Sequence, residues 1–340
     1  IRFTGIVQGV GFRPLVSMLA HQLGINGFVY NDSSGVYVEA QSDTDTLQLF
    51  VDTIQEEQPR LCRITHVGIT KVAPHDVDDN TEFVISKSPL EGTVNTFISA
   101  DTSPCEDCLS EMNEKGRRYH YPFINCTNCG PRYSIIKSMP YDRERTTMSD
   151  FTMCEACHDE YVDVNGRRYH AEPNACEQCG PSYQLLDNNG NLCVVDDCFE
   201  VAREMIAKGA IIALKGIGGY HLVCDATNDT AVQTLRDRKH RKDKPFAIMA
   251  GSIDIVEEFA IVSDGDLDAL SSMARPIVLL EKNDDFHTSI SELVAPNNHL
   301  IGVMLPYAPI HHVLVPHDAK WVMTSGNASG DSVIYDDEKA

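Results

Sequence analysis

The sequence is poor in tryptophan, in cations and in long apolar runs. Only one of its 340 residues is tryptophan, and no run of about 18 apolar residues occurs, so no membrane span is expected. No signal peptide is visible either. Lysine and arginine number 28 against 50 aspartate and glutamate residues, which leaves a net charge of −22. Nucleic-acid binding needs a basic surface, so this balance argues against a nucleic-acid partner, and we interpret local basic clusters as sites for small anions.

What the sequence does contain is cysteine in Cys-x-x-Cys pairs. Four such pairs account for eight of the 12 cysteines. The pairs belong to an internal sequence repeat. Residues 116–120 and 166–170 are both Gly-Arg-Arg-Tyr-His, and a Cys-x-x-Cys-Gly-Pro motif follows each. The repetition predicts a duplicated metal-binding unit. The eight candidate ligands are Cys105, Cys108, Cys126, Cys129, Cys154, Cys157, Cys176 and Cys179.

Two Cys-x-x-Cys pairs supply the four thiolates of a closed tetrahedral zinc site, so eight cysteines predict two Zn²⁺ ions. A full thiolate shell leaves no position for water, and both ions are therefore expected to be structural. Pairing within each repeat is the simplest arrangement, and a cross-braced pairing stays open. A disulfide framework and an iron–sulfur cluster are the competing interpretations. Reduced, metal-type cysteine use indicates a cytoplasmic protein.

The first ninety residues alternate strand and helix patterns in the order β-α-β-β-α-β, which predicts a ferredoxin-like sandwich. A glycine-rich segment joins the first strand to a helix whose first turn contains Pro14. Such a loop points backbone N–H groups at an oxyanion, with an arginine available to clamp it. The residues of this segment are Gln8, Gly9, Val10, Gly11, Phe12 and Arg13. A second strand ends at Asn31, in a turn.

These two segments resemble the acylphosphatase family, whose marks are the Val-Gln-Gly-Val-Gly-Phe-Arg loop and an Asn at the end of the second strand. The resemblance implies that residues 8–12 bind phosphate, that Arg13 holds the phosphoryl group, and that Asn31 orients the attacking water. An acyl phosphate is already activated, so positioning and charge stabilisation carry that chemistry.

After about residue 187 the sequence predicts a mixed α/β domain with a strongly basic stretch at 236–244. Basic residues beside glycine-rich turns and a Thr-Ser-x-Asn-x-Ser turn are what a triphosphate pocket needs. The Walker loop pattern is absent from the sequence, so a P-loop fold is not expected.

This region resembles the YrdC/Sua5 family, which makes carbamoyl-type adenylates from ATP. The resemblance implies nucleotide contacts from Lys239, Arg241, Lys244, Arg275, Ser325 and Asn327. It also implies that Lys215, Tyr220 and His221 line the carbamate end. One departure is that Gly330-Asp331-Ser332 stands where relatives show Gly-Glu-Pro. The adjacent His311 and His312 are interpreted as structural or substrate-side residues rather than metal ligands.

Taken in order, the modules resemble the HypF family of carbamoyltransferases in [NiFe]-hydrogenase maturation. We expect an acylphosphatase-like domain at 1–90, a double zinc-finger domain at 91–186 and a YrdC-like domain at 187–340, incomplete at its end and without the family's C-terminal transferase domain. The resemblance implies hydrolysis of carbamoyl phosphate, then adenylation of carbamate by ATP, with Mg²⁺, for transfer to the C-terminal Cys of HypE. It also leads us to expect a tunnel between the two sites.

Two alternative functions stay open on the residues alone. A zinc-dependent, chaperone-like binding module would use the flanking domains as scaffolds and would have no phosphatase activity. A threonylcarbamoyl-adenylate synthase would need a basic RNA-binding face, which the net charge of −22 disfavours.

Overall fold

A computed structural model describes residues 1–73, 82–89, 96–328 and 330–340. These residues form two compact units, one of Ile1–Arg118 with Phe123–Pro181 and the other of Tyr119–Pro122 with Ser182–Ala340. The expected boundary at residue 90 lies outside the described residues, and the three-domain division stays a prediction. No helix among the described residues is long and apolar enough to cross a membrane.

The first unit contains a five-stranded sheet in the order β4-β1-β3-β2-β5. β5 runs parallel to β2, and the other three pairings are antiparallel. Helices α1 and α2 cross between the strands, which confirms the predicted ferredoxin-like order. The elements are β1 (Arg2–Ile6), α1 (Phe12–Gln22), β2 (Asn26–Asp32), β3 (Gly35–Gln41), α2 (Thr44–Glu56), β4 (Arg63–Gly68) and β5 (Val84–Ile85).

Apolar side chains from the strands and helices pack together in the core of the sandwich and so hold these elements in place. Phe3 of β1 and Phe12 of α1 pack edge to face with ring centroids 5.0 Å apart, and both are fully buried. Phe50 and Ile54, four residues apart on one face of α2, close the same core. Asp43 caps α2 by accepting hydrogen bonds from the backbone N–H groups of Asp45 and Thr46.

The cysteine-rich part of the first unit has little regular structure. Its helices are α3 (Glu106–Asn113) and α4 (Glu155–Val162), with 3₁₀ turns at Tyr133–Ile135, Arg143–Arg145 and Thr147–Asp150. Cys105 and Cys154 are the N-cap residues of α3 and α4. One turn further along each helix come Cys108 and Cys157, so each helix presents two sulfurs at one end.

The second unit is built on a seven-stranded sheet in the order β6-β7-β12-β8-β11-β10-β9, which confirms the predicted mixed α/β class. Only the β8–β11 pairing within this sheet is parallel. Its strands are β6 (Ile212–Gly216), β7 (Gly219–Asp225), β8 (Ala247–Ala250), β9 (Ala260–Ile261), β10 (Val278–Lys282), β11 (Leu300–Met304) and β12 (Lys320–Ser325). Its helices are α5 (Cys198–Ala207), α6 (Asp229–Arg238), α7 (Ile253–Glu257), α8 (Asp264–Ser271), α9 (Phe286–Ser289) and α10 (Pro309–Leu314), and a 3₁₀ turn spans Glu292–Val294.

Candidate functional site

Two groups of four cysteines lie in the first unit, each with its sulfurs within 4.8 Å of one another. One group is Cys105, Cys108, Cys126 and Cys129, and the other is Cys154, Cys157, Cys176 and Cys179. The ligand sets therefore come from within each repeat, which decides between the two pairings that the sequence leaves open.

The sulfur spacing fits zinc and not disulfides. Three of the six Sγ–Sγ distances in each group are 3.7, 3.7 and 3.5 Å in the first group and 3.8, 3.9 and 3.6 Å in the second. A tetrahedron with Zn–S bonds of about 2.3 Å has edges of about 3.8 Å, whereas a disulfide needs about 2.05 Å. None of the twelve cysteines forms a disulfide. The eight sulfurs would thus hold two ions in closed shells, where zinc would serve as a structural centre.

We define the anion cradle as residues 8–13, at the start of α1, together with Asn31 near the end of β2. Helix α1 begins at Phe12, earlier than the sequence pattern indicates, so Arg13 stands in its first turn. Gly11 is the N-cap with a φ of 79°, and a Cβ there would lie 2.8 Å from Cγ2 of Thr127. Both the positive φ and the close approach require glycine at this position.

Other cradle residues contribute through the backbone. Val10 and Phe12 point into the sandwich core and are 1% exposed, so only their backbone groups can face an anion. The Gln8 amide donates to the carbonyls of Asp32 and Gly35 at 2.7 Å each, and its Oε1 accepts from the Tyr141 N–H at 3.1 Å. The Gln8 side chain therefore holds the loop in place.

Arg13 is buried and binds two carboxylates from the cysteine-rich part of the same unit. Its Nη1 donates to Asp142 Oδ1 at 2.6 Å and its Nη2 to Glu172 Oε1 at 2.8 Å. Burial lowers the pKa of Arg13, but the two carboxylates outweigh that effect and raise it. Burial raises the pKa of Glu172, with Arg13 opposing. A buried guanidinium is thereby kept charged by compensating anions.

Arg13 and Asn31 converge on one oxygen. Nη2 of Arg13 donates to the carbonyl of Tyr141 at 3.0 Å, and Nδ2 of Asn31 donates to the same carbonyl at 2.9 Å. Asn31 Oδ1 is buried and has no hydrogen-bond partner among the described residues, so it can accept from a further O–H or N–H group. The adjoining cavity, which Arg132, His170 and Glu172 help to line, measures about 20 Å³.

Sequence reasoning missed Tyr141, Asp142 and Glu172. The alignment of the repeats gives no signal for Glu172, because residues 116–120 and 126 match 166–170 and 176 but every position between them differs, including Pro122 against Glu172. Tyr141 and Asp142 lie between the repeats and carry no such signal.

The second unit holds a larger site, the basic pocket, of about 600 Å³. This volume is in the range of small-molecule sites. Five residues that the sequence singled out line it: His221, Arg241, Lys244, Arg275 and Ser325.

Two further predicted residues, Lys239 and Asn327, join the basic pocket through Ser325. Lys239 Nζ donates to the carbonyls of Ser325 at 2.6 Å and Asn327 at 3.0 Å, and the Ser325 hydroxyl donates to Asn327 Oδ1 at 2.7 Å. Burial, with help from the charges of Arg241 and Lys244, lowers the pKa of Lys239. Ser329, the last residue of the predicted turn, lies outside the described residues.

The remaining two predicted residues, Lys215 and Tyr220, face the chain's last residues. Both donate to Oδ1 of Asp337, Tyr220 at 2.7 Å, and neither lines the basic pocket. His221, in contrast, contacts the Tyr307 hydroxyl through Nε2 at 2.8 Å. Tyr307 is a lining residue that the sequence did not point to. His311 is fully buried, and its Nδ1 accepts from the Ala308 N–H at 3.3 Å, in keeping with a structural position.

Comparison with known families matches each module. The acylphosphatase model matches residues 1–85, the HypF finger model matches 105–136 and 153–186, and the Sua5/YciO/YrdC model, described as telomere recombination, matches 204–340. The fold and its sites therefore define a protein that joins an acylphosphatase fold, a doubled Cys₄ metal module and a YrdC-like domain.

Relatives that align with the whole chain define the family more closely. The carbamoyltransferase HypF of Rhodobacter capsulatus is 44% identical over 340 residues, and that of Synechocystis is 41% identical over 339 residues. A crystal structure of full-length HypF in a phosphate- and nucleotide-bound form superposes with a TM-score of 0.91 at 43% identity and covers 99% of this chain. This chain belongs to the HypF family. It spans 44% of the length of the Rhodobacter relative and 44% of that solved chain.

Proposed function

We propose that this chain carries two of the reaction sites of a carbamoyltransferase. The anion cradle hydrolyses carbamoyl phosphate to carbamate and phosphate, and the basic pocket couples carbamate to ATP, giving carbamoyl-adenylate and pyrophosphate. The observation that carries the proposal is the convergence of Arg13 and Asn31 on the Tyr141 carbonyl, since two donors on separate elements meet at a residue that lines the small cavity beside Arg13.

In the first reaction the cradle would bind the phosphoryl group. Arg13 would donate to phosphoryl oxygens together with backbone N–H groups of the glycine loop, and the helix N-terminus adds favourable dipole charge. The free Oδ1 of Asn31 would accept a hydrogen bond from water and aim it at phosphorus, so that the P–O bond to the carbamoyl group breaks. The leaving group is carbamate, and neither a covalent intermediate nor a base is required.

In the second reaction the cations of the basic pocket would hold the triphosphate. Lys239, Arg241 and Arg275 form no ion pair with a carboxylate in the described part of the chain, so their charge is free for a ligand. Carbamate oxygen would attack the α-phosphorus and release pyrophosphate, with Mg²⁺ on the triphosphate. A HypF relative with phosphate and nucleotide bound supports both assignments.

The family assignment extends the proposal to partners and place. The carbamoyl group would pass to the C-terminal Cys of HypE, in a cytoplasmic setting, and zinc would occupy the two Cys₄ centres. The expected protected path for carbamate stays a prediction.

Phosphate release from carbamoyl phosphate tests the first reaction. We expect Arg13→Ala and Asn31→Ala to lower kcat/KM by about 100-fold each, the usual cost of removing one stabilising donor. Arg60→Ala removes an exposed arginine from the same unit and serves as the control. Equal rates in all four proteins would refute the assignment. A chaperone-like module would release no phosphate, and a threonylcarbamoyl-adenylate synthase would require threonine for pyrophosphate release.

A further inference from the structure

The arginines of the two Gly-Arg-Arg-Tyr-His segments have no part in either proposed reaction, yet they contact the two metal-binding clusters. Arg117 belongs to the first repeat. Its Nη1 donates to Cys157 Sγ at 3.1 Å and lies 3.8 Å from Cys154 Sγ. Both sulfurs belong to the second cluster. A first-repeat arginine therefore contacts ligands of the second-repeat centre.

The second repeat makes the equivalent contact in the opposite direction. Nη1 of Arg167, the residue equivalent to Arg117, donates to Cys108 Sγ at 3.1 Å, and Cys108 belongs to the first cluster. Cys108 and Cys157 are themselves equivalent, since each ends the Cys-x-x-Cys pair on its helix. Two independent contacts of equal length between equivalent residues make a chance approach an inadequate explanation.

The next arginine of each segment also contacts the opposite repeat, but it binds a backbone carbonyl instead of a cysteine sulfur. Nε of Arg118 donates to the carbonyl of Ala175 at 2.9 Å, and Nε of Arg168 donates to that of Asn125 at 3.0 Å. Each acceptor immediately precedes the second cysteine pair of the opposite repeat. The crossed contacts thus reach both cysteine pairs of each cluster.

Two equivalent glutamates join the four arginines. Glu111 pairs with Arg118, Arg167 and Arg168, while Glu160 pairs with Arg117 and Arg118 and lies 3.6 Å from Arg168. Four guanidinium groups against two carboxylates leave two positive charges in surplus. A zinc ion with four thiolates carries a net charge of −2, so this surplus lies where two dianionic centres need it.

We propose that each Gly-Arg-Arg-Tyr-His segment stabilises the metal centre of the other repeat. The thiolate ligands come from within a repeat, whereas the guanidinium groups that neutralise and hydrogen-bond those thiolates come from across it. Groups that hydrogen-bond metal ligands typically change metal affinity by 10- to 100-fold. This inference is independent of the proposed carbamoyl chemistry.

The test is cysteine alkylation of the zinc-loaded full chain, resolved by peptide mass spectrometry, together with zinc release to a chromogenic chelator. We expect Arg117→Ala to speed alkylation of Cys154, Cys157, Cys176 and Cys179 by about tenfold or more, with the first cluster unchanged. Arg167→Ala should reverse the pattern, speeding the first cluster only. In each variant one of two zinc equivalents should be released faster.

The control is Lys115→Ala, which removes one positive charge from an exposed position in the first repeat. Three results would each overturn the proposal: faster alkylation only of the cluster in the same repeat as the substituted arginine, equal acceleration of both clusters, or unchanged rates. Cys62 and Cys224 report general unfolding, because burial raises the pKa of each to about 12 and keeps both unreactive in the folded chain. If an alanine variant unfolds, Arg117→Lys and Arg167→Lys provide the test. Lysine keeps the positive charge but lacks the planar, multi-donor guanidinium group. Alkylation of the cluster in the opposite repeat must then still be accelerated, though by less.

Discussion

The anion cradle and the basic pocket hold their cations in opposite ways. In the cradle, Arg13 is 7% exposed and bonded to Asp142 and Glu172 beside a cavity of about 20 Å³. In the basic pocket of about 600 Å³, Arg241 lines the cavity and Lys239 binds the carbonyl of the lining residue Ser325. Both cations are partly exposed and bonded mainly to carbonyl groups. In the cradle, carboxylates neutralise the charge of the arginine. In the basic pocket, carbonyl dipoles orient the cations and leave their charge without a carboxylate partner among the described residues.

This difference follows from burial. An unpaired buried charge costs several kcal/mol, so Arg13 needs carboxylate partners to remain charged in the folded chain. A half-exposed lysine keeps water nearby, and carbonyl acceptors suffice to hold it. Under the proposed function, an anion entering the cradle would compete with the carboxylates for Arg13, whereas an anion entering the basic pocket would meet cations without carboxylate partners among the described residues.

Of the two charge changes that compare the sites, the larger effect is expected in the basic pocket. Lys239→Ala should weaken ATP binding by about 10- to 100-fold, because a hydrogen bond from a charged donor is worth about 1.5–3 kcal/mol and no carboxylate among the described residues pairs with Lys239. Titration calorimetry with ATP gives the affinity. Lys208→Ala, which removes an exposed lysine from the same unit, is the matched control. Unchanged affinity in Lys239→Ala would mean that the pocket does not use its free charge for nucleotide.

A smaller effect of opposite sign is expected in the cradle. Glu172→Gln removes one of the two carboxylates on Arg13 and should tighten binding of inorganic phosphate by about tenfold, since an ion pair near 4 Å is worth up to about 4 kcal/mol before competition from Asp142. Inhibition of carbamoyl phosphate hydrolysis by phosphate measures the change. Glu144→Gln, at an 83% exposed side chain of the same unit, is the control. Weaker phosphate binding in Glu172→Gln would show that the carboxylate positions Arg13 rather than competing with the anion.

The same contrast explains what sequence reasoning could reach. Local patterns were enough to single out Arg13 and Asn31, which belong to a contiguous loop and a strand end. The same holds for candidates in short motifs, namely Lys239, Arg241, Ser325 and Asn327. Asp142 and Glu172 lie 129 and 159 residues from Arg13, on irregular segments with no periodicity. Their role depends on packing that only the folded chain supplies. The eight cysteines were recognisable because metal ligation imposes spacing, while the crossed arginines are a property of how the repeats pack.

A third prediction sharpens the comparison by testing how closed the cradle is. Burial, with the charge of Arg13 adding to it, lowers the pKa of His170 to about 4, so the folded chain keeps this side chain neutral where the unfolded chain protonates it near 6.5. The contribution to stability is complete above pH 6.5 and is lost as the pH falls toward 4, because the unfolded state then binds the extra proton. Between pH 7.5 and 5.5 the loss should be about 1 kcal/mol.

His170→Asn should remove that loss. Asparagine tolerates the left-handed backbone at this position, where φ is 47°, and it carries no titrating group. Urea unfolding of the zinc-loaded chain at the two pH values measures the difference against wild type. His120→Asn changes the equivalent, exposed histidine of the first repeat, also at a positive φ, and should leave the pH dependence as it is. If His170→Asn and His120→Asn behave alike, water reaches the cradle wall, and the contrast with the basic pocket is one of charge pairing alone.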